Sequence, residues 1–597
     1  MTTGTSPKPA KPAVSLSSAD VSKMSKNERL KANSDGLFWV AGRERHSFGD
    51  ELDAMTRGET DTIGGDAKEL SKFFGIYKQQ ERVEGRKVGA HSFMLRLRVP
   101  GGGEFSPAQW KAVDEASDRF ADGTLRITTR QGVQFHRVPG RELGALVRWL
   151  NREYENTGYV MSSLGACGDV NRNTMCSPVD DLVADRPLRT IDLAHEIASE
   201  LAPVAGGAAY HQIFIENQES KRLEPVTTDE PLYGKHYLPR KFKVGFAHPG
   251  DNSADILTQD VGFMPIVNGG AVGDEYDLYS GGGLGVTHNN EQTAAHLGLY
   301  LGRVPREQVV AVTRALAELQ RDNGERKDRR QARWKYTIRR LGIETVQREL
   351  REGFGIQLKD AKPVPLPPNR FFLGWHREAG EEERYWLGVP VLSGRLRDDG
   401  PRRQRSAVRE AVAALGAGVR LTPNQDLLIC HVPAAERARV EAIFADHGVP
   451  LDALPQVARR QALACPAKPT CGLAMTDAEL SLPRYLDEIE AAGCGDVDVV
   501  IRISGCPNSC SRPPSAEIGI VGYGKNDHVI QVGGSREGTR LGRVLYPRVP
   551  EADVSRVLIG LLRAVRDENP AGLPAGEYLH ETPLDELRVR VGYQGAQ

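Results

Sequence analysis

Leu125-Arg-Ile-Thr-Thr-Arg-Gln-Gly-Val-Gln-Phe-His136 has a second version later in the chain, Val419-Arg-Leu-Thr-Pro-Asn-Gln-Asp-Leu-Leu-Ile-Cys430. In each, an Arg between apolar residues leads to Thr, then to a turn-like pair ending in Gln, then to a second apolar strand. The match extends outward. Helices are expected before the two copies, over 106–120 and 404–415, and after them, over 141–154 and 434–446. Apolar strands lie further upstream, at 93–99 and 384–392. Both copies therefore share the order strand, helix, strand, turn, strand, helix, which marks a duplicated unit. Two such units pack as a pseudo-twofold pair, and the crevice between them suits a large ligand. Strands and helices of both kinds predict a mixed fold of the α+β class with several domains.

A chain of 597 residues is too long for one hydrophobic core. The expected plan is a flexible tail over 1–26, an extension wrapping the core over 27–90, the repeat pair at 91–160 and 369–448, a middle domain over 161–368, and a last domain over 449–597. The tail is rich in Ser, Thr, Pro and Lys and poor in large apolar groups. Lys362-Pro-Val-Pro-Leu-Pro-Pro-Asn369 reads as a stiff linker, since proline fixes φ and removes a donor.

Lys and Arg number 78 against 79 Asp and Glu, so the strong basic excess of a nucleic-acid binder is missing. No apolar run approaches the length of a membrane span, and no secretory core opens the chain. A cytoplasmic protein with no nucleic-acid or membrane partner is expected. In that reducing setting, close cysteine pairs point to metal or redox chemistry.

Cys465-Pro-Ala-Lys-Pro-Thr-Cys471 and Cys506-Pro-Asn-Ser-Cys510 hold four of the eight cysteines. Each pair lets two thiolates converge from one loop, and two loops can close a four-sulfur site. Spacing alone leaves an iron–sulfur centre, a four-cysteine zinc site and, least suitably, two disulfides. Cys494 fits neither pair and reads as a small buried apolar residue.

Cations cluster at Arg96 and Arg98, Arg126 and Arg130, Arg172 between two Asn, Arg240-Lys-Phe-Lys243, and 326–335. Arg96 and Arg126 sit inside apolar strands, and an inward-facing Arg there needs an anion, because an unpaired buried charge is costly. Lys241 and Lys243 fall on one face of an extended segment, where two ammonium groups can grip one anion. The run over 326–335 could equally be a solvated surface.

The Cys-x5-Cys pair followed by Gly-Cys506-Pro-Asn-x-Cys510 resembles the signature of the siroheme-containing sulfite and nitrite reductases. His91-Ser-Phe-Met-Leu-Arg-Leu-Arg-Val-Pro-Gly-Gly, Leu125-Arg-Ile-Thr-Thr-Arg-Gln, Gly168-Asp-Val-Asn-Arg-Asn, Leu238-Pro-Arg-Lys-Phe-Lys and Gly281-Gly-Gly-Leu are similar to that family in the same order. The similarity runs from about residue 27 to the C-terminus. It implies ferredoxin-like repeats flanked by two mixed α/β domains that hold a siroheme and a [4Fe–4S] cluster. It implies Cys465, Cys471, Cys506 and Cys510 as cluster ligands, with Cys510 also the axial ligand of the siroheme iron. Arg96, Arg172, Lys241 and Lys243 would surround the anionic substrate. Arg126, Arg130, Gln131 and Arg240 would pair with siroheme carboxylates, Asn508 would hydrogen-bond the cofactor, and Gly281–Leu284 would lie against the macrocycle. The implied activity is reduction of sulfite to sulfide. Nitrite is the alternative anion, and Asp169-Val-Asn-Arg-Asn173 looks more like the sulfite branch. No dinucleotide fingerprint is present, so electrons would come from a separate flavoprotein subunit or a ferredoxin. A zinc-stabilised protein holding anionic partners is the alternative of another class.

Overall fold

The computed structural model describes residues 21–35, 39–40, 48–83, 86–154, 162–183, 189–216, 230–268, 271–452 and 454–595. Most of the expected tail lies outside these residues. Its last part is structured: Val21–Lys23 makes a short turn, and the Ser25 hydroxyl caps the helix Lys26–Ala32 by accepting from the Glu28 N–H. Regular structure is therefore present before residue 27.

In the first repeat the strand Arg86–Leu97 pairs with Val133–Val138, which pairs with Leu125–Ile127, all antiparallel. In the second, Arg384–Val389 pairs with Leu427–Pro433, which pairs with Gly418–Leu421, also antiparallel. Helices Pro107–Phe120 and Gln404–Leu415 fill the same place in each copy, as do Leu143–Tyr154 and Arg437–Asp446. Pro107 and a reciprocal Ser106–Gln109 capping box start the first of these, satisfying donors that a helix N-terminus otherwise leaves open. The copies are joined across their pseudo-twofold axis by two matching bridges. Leu396 pairs with Leu125, and Phe105 pairs with Val419.

The middle block carries a four-stranded sheet in the order Leu299–Pro305, Ala271–Ser280, Val261–Asn268, Val244–Phe246. Its edge pair is parallel. The last block carries five strands, Leu463–Ala464, Ile501–Ser504, Ile518–Gly524, Asp527–Val532 and Arg543–Pro550, parallel at first and then antiparallel. One continuous core runs from Leu30 to Val449, so the repeats and the middle block share buried surface. A separate core, Ala458 to Tyr593, belongs to the last block. The proline-rich segment is no free spacer. Val364 N–H donates to Asp277, and Pro368 accepts from Asn252 N–H. Among the described residues no helix is long and apolar enough to cross a membrane.

Candidate functional site

The floor of the site is a row of side chains across four strands. Arg96 stands opposite Gln134, Gln134 opposite Arg126, and Arg126 opposite Arg395. Cross-strand partners share a face, so three guanidiniums and one amide lie in line. With its amide oxygen turned toward Arg96, Gln134 accepts from Arg96 Nε at 3.0 Å and from Nη2, while its nitrogen donates to His136 at 3.3 Å. Arg96 Nη1 also donates to the buried Cys167 sulfur at 3.1 Å. Cys167 contacts Tyr77 as well, whose hydroxyl is pushed up to about 12 by burial and then by Cys167.

A second wall comes from two short parallel segments. Asn171 bridges Phe242, Arg172 N–H donates to Phe242 O, and Phe242 N–H donates to Val170 O. This pairing sets Arg172 beside Lys241 and Lys243. Arg172 is locked by Gly168 O, through Nε at 3.0 Å and Nη2 at 2.8 Å. Lys241 and Lys243 flank the buried Phe242, and neither ammonium has a hydrogen-bond or ion-pair partner among the described residues. Burial, then Lys243, Arg240, Arg333 and Arg172, pushes Lys241 well below its usual range. Lys243 is likewise pushed down by burial, then by Arg130 and Arg333.

The third wall is the cysteine quartet. Cys465, Cys471, Cys506 and Cys510 face the same cavity as Arg96, Arg172, Lys241 and Lys243. Gly505 N–H donates to Cys465 Sγ at 3.2 Å, and Asn508 Nδ2 reaches Cys506 Sγ at 3.5 Å. Burial and the neighbouring thiols raise Cys465, and they push Cys506 up to about 12. Such thiols become thiolates when a metal displaces their protons. Among the described residues no group of three His, Cys, Asp or Glu stands close enough to hold a single metal ion; the four thiols line the cavity. Cys494 is fully buried in the core of the last block.

The cavity is lined by nine cations: Arg96, Arg98, Arg126, Arg130, Arg172, Lys241, Lys243, Arg333 and Arg512. No Asp or Glu lines it among the described residues. Arg98 Nη1, Arg130 Nε and Arg333 Nε are buried and unpartnered. Orphaned charged donors of this kind require anions, and a ring fringed with carboxylates meets that requirement. Arg130 is pushed down to about 9 by burial and then by Arg172. A more open hollow beside the cavity, around His288, Asn290 and Tyr523, shares Leu284 and Ser509 with it. It offers one cation, Arg330, against one carboxylate, Glu291.

Two expected placements are corrected, those of Gln131 and Arg240. Gln131 does not reach the cavity. Its Nε2 donates to Gly101 O and Leu421 O, both at 3.0 Å, and its Oε1 accepts from Cys176 N–H at 3.1 Å. Arg240 does not line the cavity either; it turns toward Asp169 at 3.8 Å. Arg329 grips Asp169 with both Nη atoms and Lys31 bonds it too, which holds that carboxyl well below its usual range although burial opposes this. Arg126 faces the cavity, but its charge is met by Glu479, Nε to Oε2 at 3.0 Å. Half of the run over 326–335 is buried structure: Arg326 pairs with Glu28, Arg333 with Asp260, and Lys335 donates to three carbonyls, while Lys327 and Arg330 are exposed. Leu284 and Gly285 line the cavity. A Cβ on Gly282 would meet Leu257 O at 2.2 Å, so the glycine allows close backbone approach.

Gln134 and Arg512 line the cavity but were not singled out from the sequence, and Arg333 was marked only as part of the run over 326–335. The signal for Gln134 was available, as a polar residue inside the apolar strand Val133-Gln-Phe-His136.

Comparison with known proteins gives one family. The model described as "Nitrite and sulphite reductase 4Fe-4S domain" matches residues 167–358. The "Nitrite/Sulfite reductase ferredoxin-like half domain" matches 85–152 and again 376–447, the two repeats. The chain is 37% identical to the sulfite reductase [ferredoxin] of Synechococcus elongatus, covering 95% of this chain and 90% of that one. It is 37% identical to the sulfite reductase [NADPH] hemoprotein beta-component of Chromohalobacter salexigens, covering 94% and 95%. The Mycobacterium tuberculosis NirA structure superposes over 93% of this chain and 100% of that one, with a TM-score of 0.72 at 24% identity. That likeness establishes the shared fold.

Proposed function

The chain belongs to the nitrite and sulphite reductase family, and from that premise we propose that it reduces sulfite to sulfide. One observation carries the reading: four thiols and nine cations line a single cavity. Siroheme and a [4Fe–4S] cluster, when bound, would supply the sulfur-binding metal and relay the electrons, six for each sulfite.

Cys465, Cys471, Cys506 and Cys510 would hold the cluster, and Cys510 would also serve the siroheme. Arg130 has a free Nε that would meet a siroheme carboxylate, and Asn508, beside Cys506, would hydrogen-bond the cofactor. Arg96 and Arg172, fixed by Gln134 and Gly168 O, form a rigid anchor for sulfite oxygens. Guanidinium is a poor acid, so protons for the departing oxygens come from Lys241 and Lys243. Their unpartnered ammonium groups, lowered by burial and like charge, are the better donors. The same charges stabilise negative charge as it builds on the substrate. Arg126 and Arg240 support the site through Glu479 and Asp169, and Gln131 supports it through the repeats.

Electrons come from a separate donor protein, and the relatives include both ferredoxin- and NADPH-type enzymes. Its unpaired thiols suit the cytoplasm. The test is anaerobic turnover with a reduced viologen, comparing kcat/KM for sulfite and nitrite and assaying sulfide and ammonia. Preference for sulfite with stoichiometric sulfide is expected. Preference for nitrite, or a colourless inactive protein, overturns the reading.

A further inference from the structure

The carboxylate of Glu479 sits between two arginines that come from different repeats. Arg395, on the strand Arg395–Leu396 of the second repeat, donates Nε to Oε1 at 2.7 Å and Nη2 to Oε2 at 3.1 Å. Arg126, on the facing strand of the first repeat, donates Nε to Oε2 at 3.0 Å. Glu479 itself belongs to the last block, between the two cysteine pairs. Arg126 then reaches further into that block. Its Nη2 donates at 2.9 Å to the carbonyl of Ala464, the residue before Cys465. The electrostatic partners of Arg126 include the Cys465 sulfur as well as Glu479 and Arg395. All three side chains are almost shut off from water, at 2% exposure for Arg126, 12% for Glu479 and 11% for Arg395.

The triad of two cations and one anion carries one net positive charge against a cluster-ligand loop. Charges in such a poorly solvated place act over longer range than at a surface. The reduction potential of an iron–sulfur cluster depends on nearby charge, on hydrogen bonds near its sulfurs and on exposure. We propose that Glu479 is a tuning and positioning residue for the cluster: it holds Arg126 against the Cys465 loop and offsets part of its positive charge, setting how readily the cluster accepts an electron. This rests on the cluster reading above. It gives the Arg126–Glu479–Arg395 contact a task beyond docking the last block, because the contact ties the electron-accepting loop to the sheet row that ends in Arg96.

The signs of the expected changes are opposite for the two partners. Glu479→Gln keeps the shape and an oxygen acceptor but removes a negative charge, so the cluster potential moves in the positive direction. Arg395→Gln removes a positive charge, so it moves in the negative direction. The measurement is a redox titration of the purified, cofactor-loaded protein monitored by electron paramagnetic resonance, with iron and acid-labile sulfide counted in the same samples. Opposite shifts at unchanged iron content support the proposal. Potentials equal to wild type in both variants, or shifts of the same sign, overturn it. Glu479→Asp, which keeps the charge, tests position if Glu479→Gln fails to load: a loaded protein with wild-type potential separates charge from mere docking, and a potential shifted as far as in Arg395→Gln counts against charge as the cause. Wild-type protein without iron or labile sulfide would instead sink the cluster reading, which keeps the two failures distinct.

Discussion

Lys241 and Lys243 are the two lysines lining the cavity, and neither ammonium has a hydrogen-bond or ion-pair partner within the described residues. Arg96, Arg126, Arg172 and Arg333 each place at least one donor on a fixed acceptor. A residue engaged on several sides holds an anion in place but cannot move, whereas an unpartnered lysine can follow a leaving oxygen. Lys241→Met should therefore keep the bound-cofactor colour and lose turnover by about 100-fold or more, the usual worth of general acid catalysis. Lys241→Arg should hold KM for sulfite near wild type while kcat stays low, because it restores charge without a good proton donor. Steady-state viologen assays beside absorption spectra read both. Wild-type kcat in either variant would remove Lys241 from the proton path.

At the scale of elements, the repeats exchange matching contacts. Gln131 and Gln425 both adopt left-handed φ, 52° and 71°. Gln131 donates to Gly101 O and Leu421 O, and Gln425 donates to Ser393 O at 3.1 Å and Ile127 O at 3.5 Å. Each Gln thus reaches across the axis to the strand end of the other copy. Gln131→Ala strands two buried carbonyls and the Cys176 N–H, and about 1–3 kcal/mol of stability should go with them. Gln425→Ala should cost less, since one of its bonds is long. Midpoints of chemical unfolding compare the two, and equal losses would contradict the asymmetry. The duplication and its Gln were legible because they are local in sequence, and so were the cysteine loops, Arg172 and the lysine pair. The use of Gln131 and the partners of Arg126 and Arg240 were not. They depend on which strand end, Glu479 or Asp169 the fold brings alongside, at sequence separations that local patterns do not encode. Register also sets which residues of the two copies correspond. Leu97 pairs with Val133, and Val389 pairs with Leu427. In the second copy, Gly388, Pro390 and Asn424 therefore stand where Arg96, Arg98 and Arg130 stand in the first.

Across the whole molecule, both repeats and the middle block meet at Glu104, His431, Arg420 and Asp181. Arg420 binds Glu104 and Asp181 at once. The His431 ring lies 3.0 Å from Glu104 Oε1 and 2.9 Å from Glu378 Oε2. With carboxylates at both nitrogens, the ring is held as imidazolium. Hydrogen bonds to Glu104, then to Glu378, push it up to about 9. Although burial opposes it, His431 and Arg420 hold Glu104 down to about 2. The unfolded chain has ordinary values, about 6.5 for His and about 4.3 for Glu. The folded state therefore binds the His431 proton more tightly. Its stabilisation is fully present below about 6.5 and is lost as pH rises through about 9. The Glu104 contribution has the opposite slope, being present above about 4.3 and lost as pH falls toward 2. The contribution of Asp426, pushed up to about 8 by burial, also falls as pH rises, from about 3.9 through about 8, so wild type alone cannot separate the groups. The difference between wild type and His431→Gln can. The difference in Tm should be largest near pH 6 and shrink steadily toward pH 9. A difference that stays constant from pH 6 to pH 9 would mean the ring contributes by packing, with no charge bridging the repeats.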